Sequence, residues 1–301
     1  MRIAVFGAGA LGSLYGGLLS EDHDVTLVGR QEHVDAVNRS GLRISGLREG
    51  VYRPKARTSS EGLGIQDLVL VTVKAYDTRT AAREVEAMVG EGTAVVSLQN
   101  GLGNAEVLGK AFGLRVIMGV PFMGVTFSHP GHVCLAGLGE TVLGSPSGQH
   151  GLAIRVSETL SAVGLSTRVS ANIGPEIWMK AIVNASINPI TALVRRENGC
   201  ICQQRELREL SRAVCQECTK AAEANGIALG RVDPFEKVVE VVRMTARNRS
   251  SMLQDVERGR RTEIDAINGA LAEAGESRGL SMPVNRALWS LVRSLHLQSN
   301  L

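Results

Sequence analysis

Aromatic residues are scarce in this 301-residue chain, at 3%, too few for the stacking platform that single-stranded nucleic acid requires. A charge excess is lacking too. With 33 Lys and Arg against 30 Asp and Glu, the net +3 leaves no electrostatic footprint for nucleic acid. Uninterrupted apolar runs stop after a handful of residues, far short of the roughly 20 that a membrane span needs. Met1-Arg2 leads straight into the strand-like Ile3-Ala4-Val5-Phe6, which leaves no room for the charged region and long apolar stretch of a targeting segment. Five cysteines, an odd number, read as reduced thiols in a cytoplasmic compartment.

What is present is the composition of a globular protein, 44% hydrophobic and 21% charged, in a chain long enough for two domains. The first 170 residues alternate short apolar runs with helical patterns, the signature of βαβ units and a parallel sheet. Strands are expected at Arg2–Phe6, Asp24–Val28, Asp67–Val73, Thr93–Leu98 and Arg115–Gly119, with helices at Ala10–Ser20, Thr78–Val89 and Gly103–Ala111. Short β-like pieces follow at Phe122–Phe127, His132–Ala136 and Thr141–Leu143, then a helix at Leu152–Val163 and a strand at Ser166–Val169. From about Asn172 strand signals vanish. Helical patterns run to the end, with breaks expected at Asn188-Pro189, Asn225-Gly226, Asp233-Pro234 and Met282-Pro283. The expected fold is therefore an α/β Rossmann-type domain with a mainly parallel sheet (1–170) followed by an all-α domain (171–301).

Gly7-Ala8-Gly9-Ala10-Leu11-Gly12 matches the dinucleotide fingerprint G-x-G-x-x-G between a strand and a helical pattern. Gly7 permits the turn, Gly9 lets the backbone reach a pyrophosphate, and Gly12 brings helix close to strand. The helix N-terminus then offers N–H groups to the phosphates. The second strand runs into Gly29-Arg30 with no acid at its end. A guanidinium there grips a 2′-phosphate, so Arg30 points to NADPH rather than NADH, although Glu32 weakens the sign. Lys74 and Asn100-Gly101 end the next two long strands, where an open α/β sheet presents residues to its ligand. Asn-Gly alone is equally a turn.

In Glu176-Ile-Trp-Met-Lys180-Ala-Ile-Val-Asn184-Ala-Ser-Ile-Asn188-Pro, the residues Lys180, Asn184 and Asn188 recur every four positions on a face of an otherwise apolar helix. Such a helix is buried, and its polar stripe faces something polar; the plainer reading is a snorkelling lysine and a helix end at Pro189. Farther on, Asn248 and Ser251 share a face if helical, and Glu263 precedes the apolar positions Ile264, Ile267 and Leu271. Such a carboxylate can partner a partly buried lysine, or be a solvated Glu beside Arg258, Arg260 and Arg261. Cys200, Cys202, Cys215 and Cys218 have spacings that can hold zinc, but Cys215 and Cys218 fall mid-helix, where packing as small apolar residues is favoured over a metal site.

Together, Gly7–Gly12, Lys74, Gln99-Asn100-Gly101, Trp178-Met-Lys180 through Asn188-Pro189, Ser250-Ser-Met-Leu-Gln-Asp255 and Thr262-Glu263-Ile-Asp resemble the ketopantoate reductase family over almost the whole chain. The resemblance implies NADPH-dependent reduction of 2-dehydropantoate in pantothenate and coenzyme A biosynthesis. It implies Lys180 as general acid, and Asn100, Asn184, Asn188, Asn248 and Ser251 as substrate-binding residues. Gly7–Gly12 (with Ala8, Ala10 and Leu11), Arg30, Lys74, Asn100, Gly124, Val125 and Glu263 would contact NADP(H). No resident metal is expected. The implied partner is a small 2-oxo acid, with no nucleic acid or membrane, and a homodimer is allowed. Reductases of other 2-oxo or 3-hydroxy acids, and a non-catalytic NADPH-sensing module, are the competing readings.

Overall fold

Apolar runs too short for a helix become the central strands, and the periodic segments between them become the covering helices. The structure is a computed structural model and describes residues 1–297. Its strands are β1 (Arg2–Phe6), β2 (Asp24–Val28), β3 (Leu42–Gly46), β4 (Gly50–Tyr52), β5 (Lys55–Arg57), β6 (Gln66–Val71), β7 (Val89–Ser97), β8 (Val116–Pro121), β9 (Gly124–His129), β10 (His132–Gly137), β11 (Thr141–Gly144) and β12 (Thr167–Val169). Its helices are α1 (Ala10–Leu19), α2 (Gln31–Ser40), α3 (Thr78–Val85), α4 (Asn104–Phe112), α5 (His150–Ala162), α6 (Gly174–Val194), α7 (Cys200–Gln203), α8 (Arg205–Ala224), α9 (Pro234–Met244), α10 (Ser251–Glu257), α11 (Ala270–Glu276) and α12 (Pro283–Leu297).

The chain divides into two units, Met1–Gln99 with Asn104–Ile173, and Asn100–Gly103 with Gly174 onward. The division after Ile173 lies three residues past the expected position, and the short loop after β7 groups with the helical unit.

In the first unit an eight-stranded sheet has the order β12-β11-β8-β7-β6-β1-β2-β5, parallel except between β8 and β11. The order reverses between β1 and β6, the switch point at which open α/β sheets bind ligands. Register makes this edge level: Phe6 stands beside Val28 and Val71, and Val71 beside Ser97. The residues that follow these ends, from Gly7, Gly29, Thr72 and Leu98, therefore emerge together. Ile3, Val5, Leu14, Leu18, Leu27, Leu68 and Leu70 form the core beneath. A second sheet has the order β4-β3-β10-β9.

The second unit is helical and centred on α6, whose Ala181, Ile182, Ala185 and Ile190 pack with Val214, Cys218, Val238 and Leu271. The 21-residue α6 contains an 18-residue stretch of mean hydropathy 1.3, long and apolar enough to cross a membrane, but 61% of that stretch is buried in the protein. It is a core helix.

Several local expectations fail for identifiable reasons. α2 and β3–β5 were not anticipated: α2 buries only His33, Val34 and Val37, and β5 alternates Lys55 and Arg57 around Ala56. The helix expected to stop at Asn188-Pro189 continues through Pro189 to Val194. Proline removes the N–H that would bond the Ala185 carbonyl, and the Asn268 side-chain amide replaces it at 3.3 Å.

Candidate active site

Phe6 ends β1, and the chain turns through Gly7 at φ +109° into α1. A Cβ on Gly7 would lie 2.6 Å from the Val73 nitrogen, and one on Gly12 2.4 Å from the Gly7 carbonyl oxygen. Both positions require glycine. A Cβ on Gly9, by contrast, would meet only the Gly7 oxygen, at 4.0 Å. The loop is thus tight beneath and open above, and α1 begins at Ala10 with no side-chain cap on its leading N–H groups. That shape and polarity fit a dinucleotide pyrophosphate.

Neighbouring strand ends brace the loop. Thr72 Oγ1 donates to the Gly7 carbonyl at 2.7 Å, and Gln99 Nε2 donates to the Val73 carbonyl at 3.0 Å, fixing the backbone just before Lys74. Sequence reading missed Thr72, because no residue type marks a hydroxyl that clamps a loop 65 positions away. Lys74 lies three residues past the end of β6, half-buried, at the head of a single helical turn, Ala75–Asp77. Arg30 is exposed at the N-cap of α2, two residues past the end of β2. Arg57, also exposed, stands opposite Val28 on β5, and its carbonyl accepts from Gly29 N at 3.0 Å. It is a second guanidinium-bearing residue at this strand end, hidden until β5 is recognised. Gly124 and Val125 lie on β9 of the second sheet, opposite Gly137 and Leu135 of β10.

In the helical unit, Lys180, Asn184 and Asn188 occupy successive turns of α6, since the helix is unbroken. Lys180 and Asn184 are half-buried and Asn188 is buried. The side chains of Asn184 and Asn188 hydrogen-bond to no other described residue, so both amides can serve a ligand. Burial lowers the Lys180 ammonium to about 8, against the upward pull of the Glu263 carboxylate. Glu263 is itself buried and accepts from Asn100 Nδ2 at 3.3 Å. Asn100 is held there by its own loop. Leu102 N donates to the Ala266 carbonyl at 2.9 Å, and Gly101, at φ +85°, approaches so closely that a Cβ would lie 2.5 Å from that oxygen. The second unit therefore brings Lys180, Glu263 and Asn100 into one electrostatic group. A cation of this kind, still protonated at neutral pH, suits proton donation.

Asn248 and Ser251 do not share a helical face: Asn248 lies in the turn before α10, and Ser251 is the first, exposed residue of that helix. The buried serine is Ser250, which caps α10 by accepting from Leu253 N at 3.1 Å and lies 2.8 Å from Thr191 Oγ1 on α6. Cys200, Cys215 and Cys218 are buried and Cys202 half-buried, all as free thiols. Burial raises the Cys215 thiol to about 11 and the Cys218 thiol further. Among the described residues no group of three or more His, Cys, Asp or Glu is placed to hold a metal ion.

Two family profiles match, one described as ketopantoate reductase PanE/ApbA over residues 3–148 and the other as its C-terminal domain over 172–296. Similar proteins include the 2-dehydropantoate 2-reductases of Archaeoglobus fulgidus and Pyrococcus horikoshii, 42% and 41% identical over 98% of this chain and 97% of each relative. Among solved structures, a PanE/ApbA family ketopantoate reductase from Ralstonia eutropha aligns at TM-score 0.92 and 31% identity, covering all of both chains. D-mandelate dehydrogenase in complex with NADH and anilino(oxo)acetate aligns at TM-score 0.93 and 26% identity, again over all of both chains. With both halves matched in order over nearly its full length, the chain belongs to the ketopantoate reductase family.

Proposed function

We propose that this protein reduces 2-dehydropantoate to pantoate with NADPH, in pantothenate and coenzyme A biosynthesis, and that Lys180 is the proton donor. The observation that carries this reading is the half-buried Lys180, lowered to about 8 and paired electrostatically with Glu263, on the same helical stripe as the uncommitted amides of Asn184 and Asn188. The 41–42% identity to enzymes named for this reaction supports the substrate.

The reduced nicotinamide, when bound, supplies the hydride for the C2 carbonyl carbon. The chain does the rest. Gly7–Gly12 and the N-terminus of α1 receive the pyrophosphate, and Arg30 grips the 2′-phosphate. Lys74, Gly124 and Val125 serve the cofactor, and Asn100 serves cofactor and substrate. Asn184, Asn188, Asn248 and Ser251 orient the substrate's carboxylate and hydroxyl groups. Lys180 Nζ donates a proton to the ketone oxygen, and its positive charge stabilises the alkoxide as it develops. Glu263 keeps that lysine protonated, opposing the effect of burial.

A second reading, reduction of an aryl 2-oxo acid with NADH, draws on the full-length likeness to the NADH complex of D-mandelate dehydrogenase. The test is nicotinamide oxidation by the purified protein with 2-dehydropantoate and then an aryl 2-oxo acid, each with NADPH and with NADH. The expected result is a kcat/KM for 2-dehydropantoate with NADPH well above every other combination. Higher turnover of the aryl acid would replace the proposed substrate, and no turnover of either would favour a sensing module.

A further inference from the structure

Between Glu263 and α11 the chain makes one turn of π-helix, Asp265–Gly269, in which Gly269 N bonds back five residues to the Ile264 carbonyl at 3.0 Å. Such wide turns are rare and frequently stand at functional sites. Fully buried within it is Asn268. Its Nδ2 donates to the Ala185 carbonyl of α6 at 3.3 Å and to Asn285 Oδ1 of α12 at 3.0 Å. Two acceptors on one side fix which end of the amide points there.

The Ala185 carbonyl accepts this bond because Pro189, four residues on, has no N–H for it. Asn285 is itself anchored: its Nδ2 donates to Glu217 Oε2 at 2.8 Å, and Glu217 also takes the backbone N–H groups of Val284 and Asn285 at the head of α12. Asn268 Oδ1, by contrast, is buried with no partner among the described residues. An orphaned buried acceptor of this kind is destabilising. What the amide contributes therefore lies in its two donated bonds, and one of them reaches the helix that carries Lys180.

We infer that Asn268 is a positioning residue for the reductase reaction: its bond to the proline-vacated Ala185 carbonyl sets the register of the Lys180 helix against the turn that carries Glu263 and supports the Asn100 loop. The turn is well placed for this. The Glu263 carbonyl accepts from Ala266 N and Ile267 N, both at 3.1 Å, and the Ala266 carbonyl holds Leu102 N. A shift of the turn relative to α6 moves Glu263 and Asn100 together, away from Lys180.

The inference rests on the proposed role of Lys180, so its test includes a readout that needs no turnover. Asn268→Leu removes both donors at similar volume, and Asn268→Leu with Pro189→Ala returns a backbone N–H to the Ala185 carbonyl without restoring the tie to the turn. Three quantities are compared across the wild type and both variants: Tm, kcat, and the Lys180 pKa from the pH dependence of amine acylation. The expected result is a lowered Tm in the single variant and partial recovery in the double one. In both, kcat should fall roughly 10–100-fold and the Lys180 pKa should drop. Recovery of kcat and of the Lys180 pKa together with Tm in the double variant would reduce Asn268 to a helix patch and overturn the inference. So would an unchanged kcat and pKa in the single variant. Should the wild type turn over no 2-oxo acid, the assigned function fails, while the Lys180 pKa still decides the tie between Asn268 and α6.

Discussion

The side-chain amide of Asn100 donates to the carboxylate of Glu263 across 3.3 Å, although 163 residues separate the two. The strand-end Asn-Gly and the later acidic motif thus belong to a single arrangement, and the same carboxylate draws up the pKa of Lys180.

The sign of the pH dependence follows. The proposed donor role requires Lys180 protonated, and burial has brought its pKa to about 8, so kcat should be flat near neutrality and decline as pH rises through about 8. Glu263→Gln removes the carboxylate that raises that pKa. The decline should move to lower pH, measured as a pH–rate profile at saturating substrate. An unmoved profile would separate Glu263 from the proton donor.

For the cofactor, Arg30→Ala should weaken NADPH binding by roughly 10–100-fold, the loss of about 1.5–3 kcal/mol expected for hydrogen bonds to a charged group. NADH binding should barely change. Equal losses for both, in fluorescence titrations, would contradict the 2′-phosphate contact.

Gly12→Ala tests the loop itself. The new Cβ would press on the Gly7 carbonyl oxygen at 2.4 Å and on Thr72 Oγ1 at 2.5 Å, so loop and helix must separate. A loss of about 1–3 kcal/mol in stability is expected from the overpacking, with a larger loss of NADPH affinity. Calorimetry and binding on the same variant measure both.

Ser250 and Ser251 should behave differently despite being neighbours. Ser250→Ala loses the α10 cap and the contact with Thr191, at a cost of about 1–2 kcal/mol. Ser251 is exposed, so Ser251→Ala should leave Tm nearly unchanged and raise KM for the 2-oxo acid. A Tm loss confined to Ser251→Ala would reverse the two assignments.

Strands such as Arg2–Phe6 and Asp24–Val28 were legible to the residue, because buried parallel strands are short runs of apolar side chains bounded by turn residues. β5 and α2 were not: three residues with charges at both ends, and a helix with only three buried positions, carry almost no periodic signal. The Lys180–Asn184–Asn188 stripe was legible from its spacing. Its continuity through Pro189 was not, because the donor that makes it tolerable, Asn268, lies 83 residues from Ala185. Membership of Asn100–Gly103 in the helical unit was equally invisible, since it depends on Leu102 meeting the Ala266 carbonyl. Local pattern revealed the elements, while bonds between distant segments decided where the site closes.

The most direct test is the single-turnover rate of 2-dehydropantoate reduction by Lys180→Ala at pH 7, with NADPH saturating and its affinity measured separately. The expected rate is lower by roughly 10²–10⁴-fold, the usual contribution of a positioned general acid, with NADPH affinity unchanged. A rate close to the wild-type value would contradict the donor role of Lys180 and move the proton donor elsewhere.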